Sequence, residues 1–351
     1  MPGPCLLPDT MRIVSVVGLV LGLGLTGWLI ADLGPAQIVH VLSRASWAGL
    51  MGIVLFHLLQ LLPSAAGWRV LGGAGPGRGH ETILRHNPGQ NPGSNPGLGS
   101  YLVLRWVREG INNLLPVAQI GGEIVAARRL AQRGLALAES IAATVCDLTI
   151  ETVTQIVFAA IGLALLPRGL LGGVAAFTGI AIACLLVGGF VAAQVAGATG
   201  LIERFLLRLG GAVEHNSFRH VSGMESALRR RYRMPGRLLR AASWHLFSWL
   251  LGGVEVCLIL HVLGHGVGLR TGLLLESLGQ AVKSMGFAVP GAVGVQEGGY
   301  AAIAALLGLP PDLGLALSLV KRLREVVYGL PALGMWRLWE QGRGVAAGVR
   351  P

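Results

Sequence analysis

The sequence predicts an all-α polytopic membrane protein, an inverted-repeat helical bundle with two broken or re-entrant segments. Three observations carry that expectation. Of 351 residues, 53% are hydrophobic and 13% charged, about half the charged share of an ordinary soluble domain. The charges are clumped, leaving continuous apolar runs of about 20 residues, enough to cross a bilayer as helices; barrel strands would be short and alternating instead. Two stretches, 105–134 and 273–308, are too polar for a lipid-facing helix and too apolar for a loop.

The elements follow in order. Residues 1–10 contain three prolines and read as an unstructured lead, with Met11–Arg12 as an alternative start. The first span, Ile13–Ala31, follows Arg12 and lacks a small-residue cleavage site, so it is expected to be retained. The second, Trp47–Val70, has Trp47 and Trp68 at its ends, where aromatic rings favour the interface. Residues 72–100 hold NPGQNPGSNPG, an Asn-Pro-Gly triplet recurring every four residues. Proline fixes one turn position and glycine tolerates positive φ, so this reads as an inserted loop of turns. Further spans are expected at Leu137–Leu166, Leu171–Val195, Ala241–Leu263 and Leu313–Trp336. Residues 198–240, with nine arginines, form a second loop.

The net charge is +11. In this apolar context arginine-rich loops obeying the positive-inside rule explain it, and no nucleic-acid partner is expected. The arginine-rich stretches 69–133 and 198–240 and the tail with Arg337, Arg343 and Arg350 are expected on the cytoplasmic side. The sparser loops near Asp32–Arg44, Arg168 and Arg270 are expected outside. Both termini then lie inside. The only lysines are Lys283 and Lys321, both in apolar surroundings. Cys5, Cys146, Cys184 and Cys257 have no CxxC spacing, and the histidines form no metal-ligand pattern, so no disulfide, metal or cofactor is expected.

The two odd stretches align on their prolines. Pro116 precedes Glu123 by seven residues, and Pro290 precedes Glu297 by seven, an offset of 174 residues. At the same offset Gly134 falls on Gly308, Asp147 on Lys321, Glu151 on Glu325 and Glu109 on Lys283. The shared offset predicts an internal duplication within a single membrane domain, 1–351: a first repeat over 11–166 with its insertion at 72–100, and a second over 171–340. The arginine-derived topology puts the repeats in opposite orientations, as in many transporters.

Pro116, Gly121 and Gly122 break the first stretch; Pro290, Gly291 and Gly294 break the second. Proline removes a helix hydrogen bond and glycine frees the backbone. In hydrocarbon the released groups are costly, so the breaks should line a cavity or pack against protein. A half-helix beginning near Gly294 would direct its N–H groups inward, which favours an anion; close helix packing is the plainer explanation of the glycines. Glu123 and Glu297 are the foremost candidates for a substrate-binding or transport site, since a carboxylate at membrane depth must be paired, protonated or wet. Lys283, Lys321, Arg322, Arg128 and Arg129 are available partners. Lys321 and Glu325, like Asp147 and Glu151, are four apart on one helix face, and Lys321–Glu325 is expected to pair locally. Asn112, Asn113, Gln119 and Gln296 add hydrogen-bonding groups near the breaks. His245, Glu255 and His261 are weaker candidates. Structural ion pairs are the alternative to a polar transport cavity.

NNLLPVAQIGGEIVAARRLA and FAVPGAVGVQEGGY resemble the membrane region of lysylphosphatidylglycerol synthases and the flippase-like family built on it, most closely the branch associated with hopanoid biosynthesis. The resemblance covers nearly the whole chain, and Glu123, Pro290, Gly291, Gly294 and Glu297 carry its pattern. It implies a bacterial inner-membrane protein that moves or presents a lipid, a hopanoid or an anionic phospholipid, with hopanoid-biosynthesis enzymes as partners. The synthases carry a large soluble domain for aminoacyl transfer; none is expected here, and no enzyme activity. A non-transporting scaffold for lipid-biosynthesis enzymes is the alternative function, and a membrane-embedded lipid-modifying enzyme a third.

Overall fold

A computed structural model of the chain describes residues 20, 23–73, 95–115, 121–167, 223–286 and 289–346. These residues are almost wholly helical, with no strand among them. In chain order the helices are α1 (Leu23–Leu33), α2 (Pro35–Ser43), α3 (Trp47–Gly72), α4 (Leu98–Leu114), α5 (Gly121–Ala131), α6 (Leu137–Leu165), α7 (Met224–Tyr232), α8 (Pro235–Val262), α9 (Leu269–Met285), α10 (Val295–Leu306) and α11 (Pro311–Ala346), with a short 3-10 turn at Pro290–Ala292 before α10. Proline opens α2, α8 and α11, where its missing N–H has no partner to lose. The Ser46 hydroxyl caps α3 by accepting the Gly49 N–H at 3.0 Å.

Three helices, α3, α6 and α8, are long and apolar enough to cross a membrane, and α1–α2 makes a fourth if the bent pair is one span. Their outward faces carry exposed Met51, Leu55, Leu59, Leu239, Phe247 and Leu258. The interior holds both apolar clusters and a large set of buried charges. Apolar outside and charged inside suits a hydrocarbon solvent.

The helices keep the offset seen in the sequence. α5 is followed by α6 at Leu137 and α10 by α11 at Pro311, two starts 174 residues apart. The turns between them bend at Gly134 (φ 116°) and Gly308 (φ 74°), again 174 apart. α3 and α8 pack side by side and antiparallel: Gly49 lies against Val262, Gln60 and Ser64 bond Ser248, and Gly67 lies against His245. α6 likewise runs antiparallel to α9, from Gln155 beside Ser284 to the Leu165 carbonyl beside Arg270. α4 packs on α11 through Gly110 and Gly329.

Several sequence expectations need correction. Trp68 is fully buried against Tyr101, not at an interface, whereas Trp47 is exposed. The expected outer loop Asp32–Arg44 is instead the end of α1 and the helix α2, joined at Gly34 (φ 87°) with a bend of 89°. The 198–240 loop contains α7 and the start of α8, and its Arg231 is buried, donating to the Leu71 carbonyl at 3.0 Å and pairing with Glu139. A charge that caps the end of α3 in this way is structural. The expected last span falls on α11, which is long but carries Lys321, Arg322, Arg324 and Glu325 in its middle. The Asn-Pro-Gly triplets beginning at Asn87 and Asn91, Pro116, Gln119, the Leu171–Val195 span, Cys5 and Cys184 lie outside the described residues. Cys146 and Cys257 are free thiols.

Gly122 is where α5 touches α4. A Cβ there would run into the Arg108 carbonyl and sit 2.7 Å from Asn112 Oδ1. Gly122→Ala should therefore destabilise the fold by about 1–3 kcal/mol, read as a lower thermal midpoint in detergent. Gly298→Ala, whose Cβ would meet Leu29 at an ordinary 3.6 Å, should stay near wild type. Equal midpoints would refute the close packing of α5 on α4.

Candidate functional site: a charged interior cavity

The site is assembled from α3, α4, α6, α8, α9 and α11. Arg105, Arg108, Glu109 and Asn112 occupy one face of α4, three or four residues apart. Arg108 spends its whole guanidinium fork on carboxylates. Nε donates to Glu123 Oε1 (2.9 Å), Nη1 to Asp147 Oδ2 (2.7 Å) and Nη2 to Glu151 Oε2 (2.9 Å). Arg105 clamps Glu151 with two nitrogens and gives its Nε to Glu109 at 3.0 Å. His245 on α8 completes Asp147 at 2.8 Å. Asn112 closes the first break: its Nδ2 donates to both oxygens of Glu123 at 3.1 Å, and its Oδ1 accepts the Gly122 N–H at 2.9 Å.

The second half is built from α9, α10 and α11. Lys283 donates to Glu325 Oε1 (2.7 Å), and Arg322 donates to Glu325 Oε2 (3.1 Å) and Glu297 Oε1 (2.7 Å). Glu297 Oε2 turns back to accept the Gly294 N–H at 2.6 Å, capping the start of α10. Gln296 donates to Ser318 at 3.2 Å. Lys321 pairs with Glu276, which also accepts from Tyr300 at 2.9 Å. Arg324 pairs with Glu255 on α8. In all, eight carboxylates (Glu109, Glu123, Asp147, Glu151, Glu255, Glu276, Glu297, Glu325) face six fixed cations (Arg105, Arg108, Lys283, Lys321, Arg322, Arg324). Desolvating that many charges is tolerable only with such dense mutual satisfaction.

Between these groups lies a cavity of about 230 Å³, many times the ~10–15 Å³ one water needs. Of the predicted site residues, Asn112, Asn113, Glu123, Glu151, Lys283 and Glu325 line it. Asp147, Glu297, Lys321 and Arg322 stand behind the lining, in the ion-pair network, and Gln296 stands there bonded to Ser318. From sequence, Glu123 and Glu297 are expected in one wet interior; in the structure Glu123 lines the cavity and Glu297 does not. The anion at the start of α10 is the chain's own Glu297, whose carboxylate already accepts the Gly294 N–H. Lys321 and Glu325 do not pair locally: Lys321 reaches across to Glu276 and Glu325 to Lys283. Arg108, not Arg129, neutralises Glu123; Arg129 turns to Glu340 and Trp339. Gly291 (φ 60°) lets the second break press on α4, where a Cβ would sit 2.9 Å from the Asn113 carbonyl.

Sequence reasoning missed His57, Gln60, Arg105, Arg108, Gln155, Gln280, Arg324 and Tyr328 among the liners. Two signals were present: HLLQ places His57 and Gln60 on one face of an apolar helix, and RWVREGINN spaces its charges three and four apart. Ser284 is the exposed liner. It marks the mouth, between α6 and α9, where Gln155 Nε2 donates to Ser284 Oγ at 2.5 Å. At the 174-residue offset Gln155 corresponds to Gly329 and Ser284 to Gly110, and those two glycines are packed backbone to backbone, with Cα atoms in contact with the other's Cβ position at 3.4–3.6 Å. One seam is polar and bridged by side-chain hydrogen bonds; its counterpart is closed by glycine packing. Among the described residues no group of three or more His, Cys, Asp or Glu is arranged to hold a metal ion.

Fold and cavity define a multi-pass membrane protein with a charged interior. The chain belongs to the family described as the lysylphosphatidylglycerol synthase TM region, which matches residues 15–332. Comparison with curated proteins gave no match, and comparison with solved structures gave none.

Arg108→Leu would take the cation from Glu123 and one donor each from Asp147 and Glu151, which keep His245 and Arg105. It should cost about 3–5 kcal/mol and sharply lower the thermal midpoint in detergent. Arg229→Gln, which breaks an exposed pair with Glu225, should leave the midpoint close to wild type. Similar midpoints for the two variants would contradict the central role of Arg108.

Proposed function

We propose that this protein is a flippase-like lipid transporter of the bacterial inner membrane, with both termini cytoplasmic. Two inverted repeats flank its cavity, and its cargo is a hopanoid or an anionic phospholipid. The observation that carries the reading is a charged cavity whose exposed liner, Ser284, places its mouth at the polar seam between α6 and α9. A lipid can put its polar head group through such a mouth and leave its tails in the bilayer. Membership of a lipid-related membrane family supports the same reading. The antiparallel pairing of α3 with α8 and the repeated 174-residue offset support two oppositely inserted halves. The polar α6–α9 seam and the glycine-sealed α4–α11 seam are then the two exits. Rocking one half against the other would open them in turn. The arginine and lysine liners would meet a phosphate or other anion; the carboxylates would hold those cations in place between visits. The protein is assigned no catalytic residue.

A bifunctional thiol cross-linker tests this. In a background with the native cysteines replaced by serine, Gln155→Cys and Ser284→Cys are tied together in vesicles. Exchange of labelled phosphatidylglycerol and of a labelled hopanoid between leaflets should fall to the protein-free rate, and each single cysteine variant should not be affected by the reagent. Undiminished exchange in the tied protein would rule out α6–α9 as the route.

A further inference from the structure

His57 sits where the two halves meet, and nothing in the ion-pair network requires it. It is 7% exposed and lines the cavity from α3. Its Nε2 is 3.5 Å from Glu109 Oε2 on α4, and its Nδ1 is 3.6 Å from Glu255 Oε2 on α8. Neither ring nitrogen makes a hydrogen bond; both distances are slightly too long for one. Tyr328 on α11 stacks on the ring at 4.8 Å, and its hydroxyl donates to Glu109 at 3.3 Å. Among the described residues, the ion pairs around this group hold two more carboxylates than fixed cations. His245 is bonded to Asp147 at 2.8 Å. Among the described histidines, only His57 lies between two carboxylates on different helices.

Resting on the transport reading, we propose that His57 is a proton-binding site that couples the two halves to lipid passage. A protonated imidazole has an N–H for each carboxylate and pulls α4 and α8 toward α3. A neutral imidazole keeps one N–H, so one carboxylate loses its donor and the contact loosens. The charged groups that bear on it are Glu109 and its partner Arg105 from α4, Glu255 from α8 with Lys321 nearby, and Arg324 and Tyr328 from α11. The proton enters and leaves as H⁺ through the cavity, and no covalent bond changes. An anionic head group drawn to Arg105 or Arg324 would compete with Glu109 and Glu255 for their cations. It would thereby change the hold of those carboxylates on the proton. Lipid occupancy and proton occupancy are then linked and reciprocal.

Two readouts test this. First, the ring of His57 is followed by NMR in ¹⁵N-histidine-labelled protein, assigned by its loss in His57→Gln. It should change protonation state between about pH 5 and about pH 8, and its midpoint should shift on adding phosphatidylglycerol or a hopanoid. A ring fixed in one state across that range, or a midpoint indifferent to both lipids, overturns the proposal. Second, labelled-lipid exchange in vesicles should change about tenfold over a range on the order of one to two pH units, and His57→Gln should flatten that profile while His40→Gln, at an exposed position on α2 away from the cavity, keeps it. A His57→Gln profile with the wild-type pH dependence also overturns it. If wild-type protein moves no lipid at any pH, the transport reading fails, and the ring titration still decides whether His57 exchanges a proton.

Discussion

The structure depends on how one guanidinium is used. Arg108 lies at the centre of the first half and binds carboxylates from α5 and α6 at once, while Arg105 beside it bonds one of the same carboxylates. Only a planar, always-charged fork can serve three acceptors in fixed directions. Its presence explains why a helix as polar as α4 can sit inside a membrane protein. It explains why Glu123 is held at the first break, where Asn112 joins it to the backbone of α5. The second half reaches the same end with different parts: Arg322 and Lys283 share Glu325, and Arg322 also holds Glu297 at the second break. In both halves the glutamate after the break is fixed by an arginine from a neighbouring helix.

Much of the architecture was legible in the sequence because membranes leave few options. Apolar runs of the right length gave α3, α6 and α8 to within a few residues, apart from the earlier start of α8 at Pro235. The 174-residue spacing between prolines recurs in the starts of α6 and α11 and in the left-handed Gly134 and Gly308. That agreement reaches positions where the side chains have no similarity, such as Leu137 and Pro311. The loops were less legible. Asp32–Arg44 has the composition of a connector but enough apolar residues (Ile38, Val41) to fold as a short helix against the core. Arg231 counts toward a loop charge in the sequence and is buried in the fold; composition does not distinguish the two fates.

The site was legible as residue types and not as partners. Glutamates, lysines and asparagines near glycine breaks stood out because they are rare in apolar chains. Their pairing needed the helix faces. Lys321 and Glu325 had ideal spacing for a local pair, yet each found a better partner across the bundle, since a buried charge gains most from the partner that completes its hydrogen bonds. Gln155, Ser284, Gly110 and Gly329 carry no sequence signal individually. They acquire meaning only as two equivalent seams, one bridged by a polar contact over the cavity and one closed by glycine packing.

The central claim is that a lipid head group occupies the charged cavity and enters it between α6 and α9. Photolabelling tests this most directly: a lipid with a diazirine on its head group is activated in vesicles holding the intact protein, and the labelled residues are mapped by mass spectrometry. Labels on Thr152, Gln155, Gln280 and Ser284 are the result the account predicts. Labels confined to the outward apolar faces of α3, α8 and α11, with the cavity untouched, would contradict it.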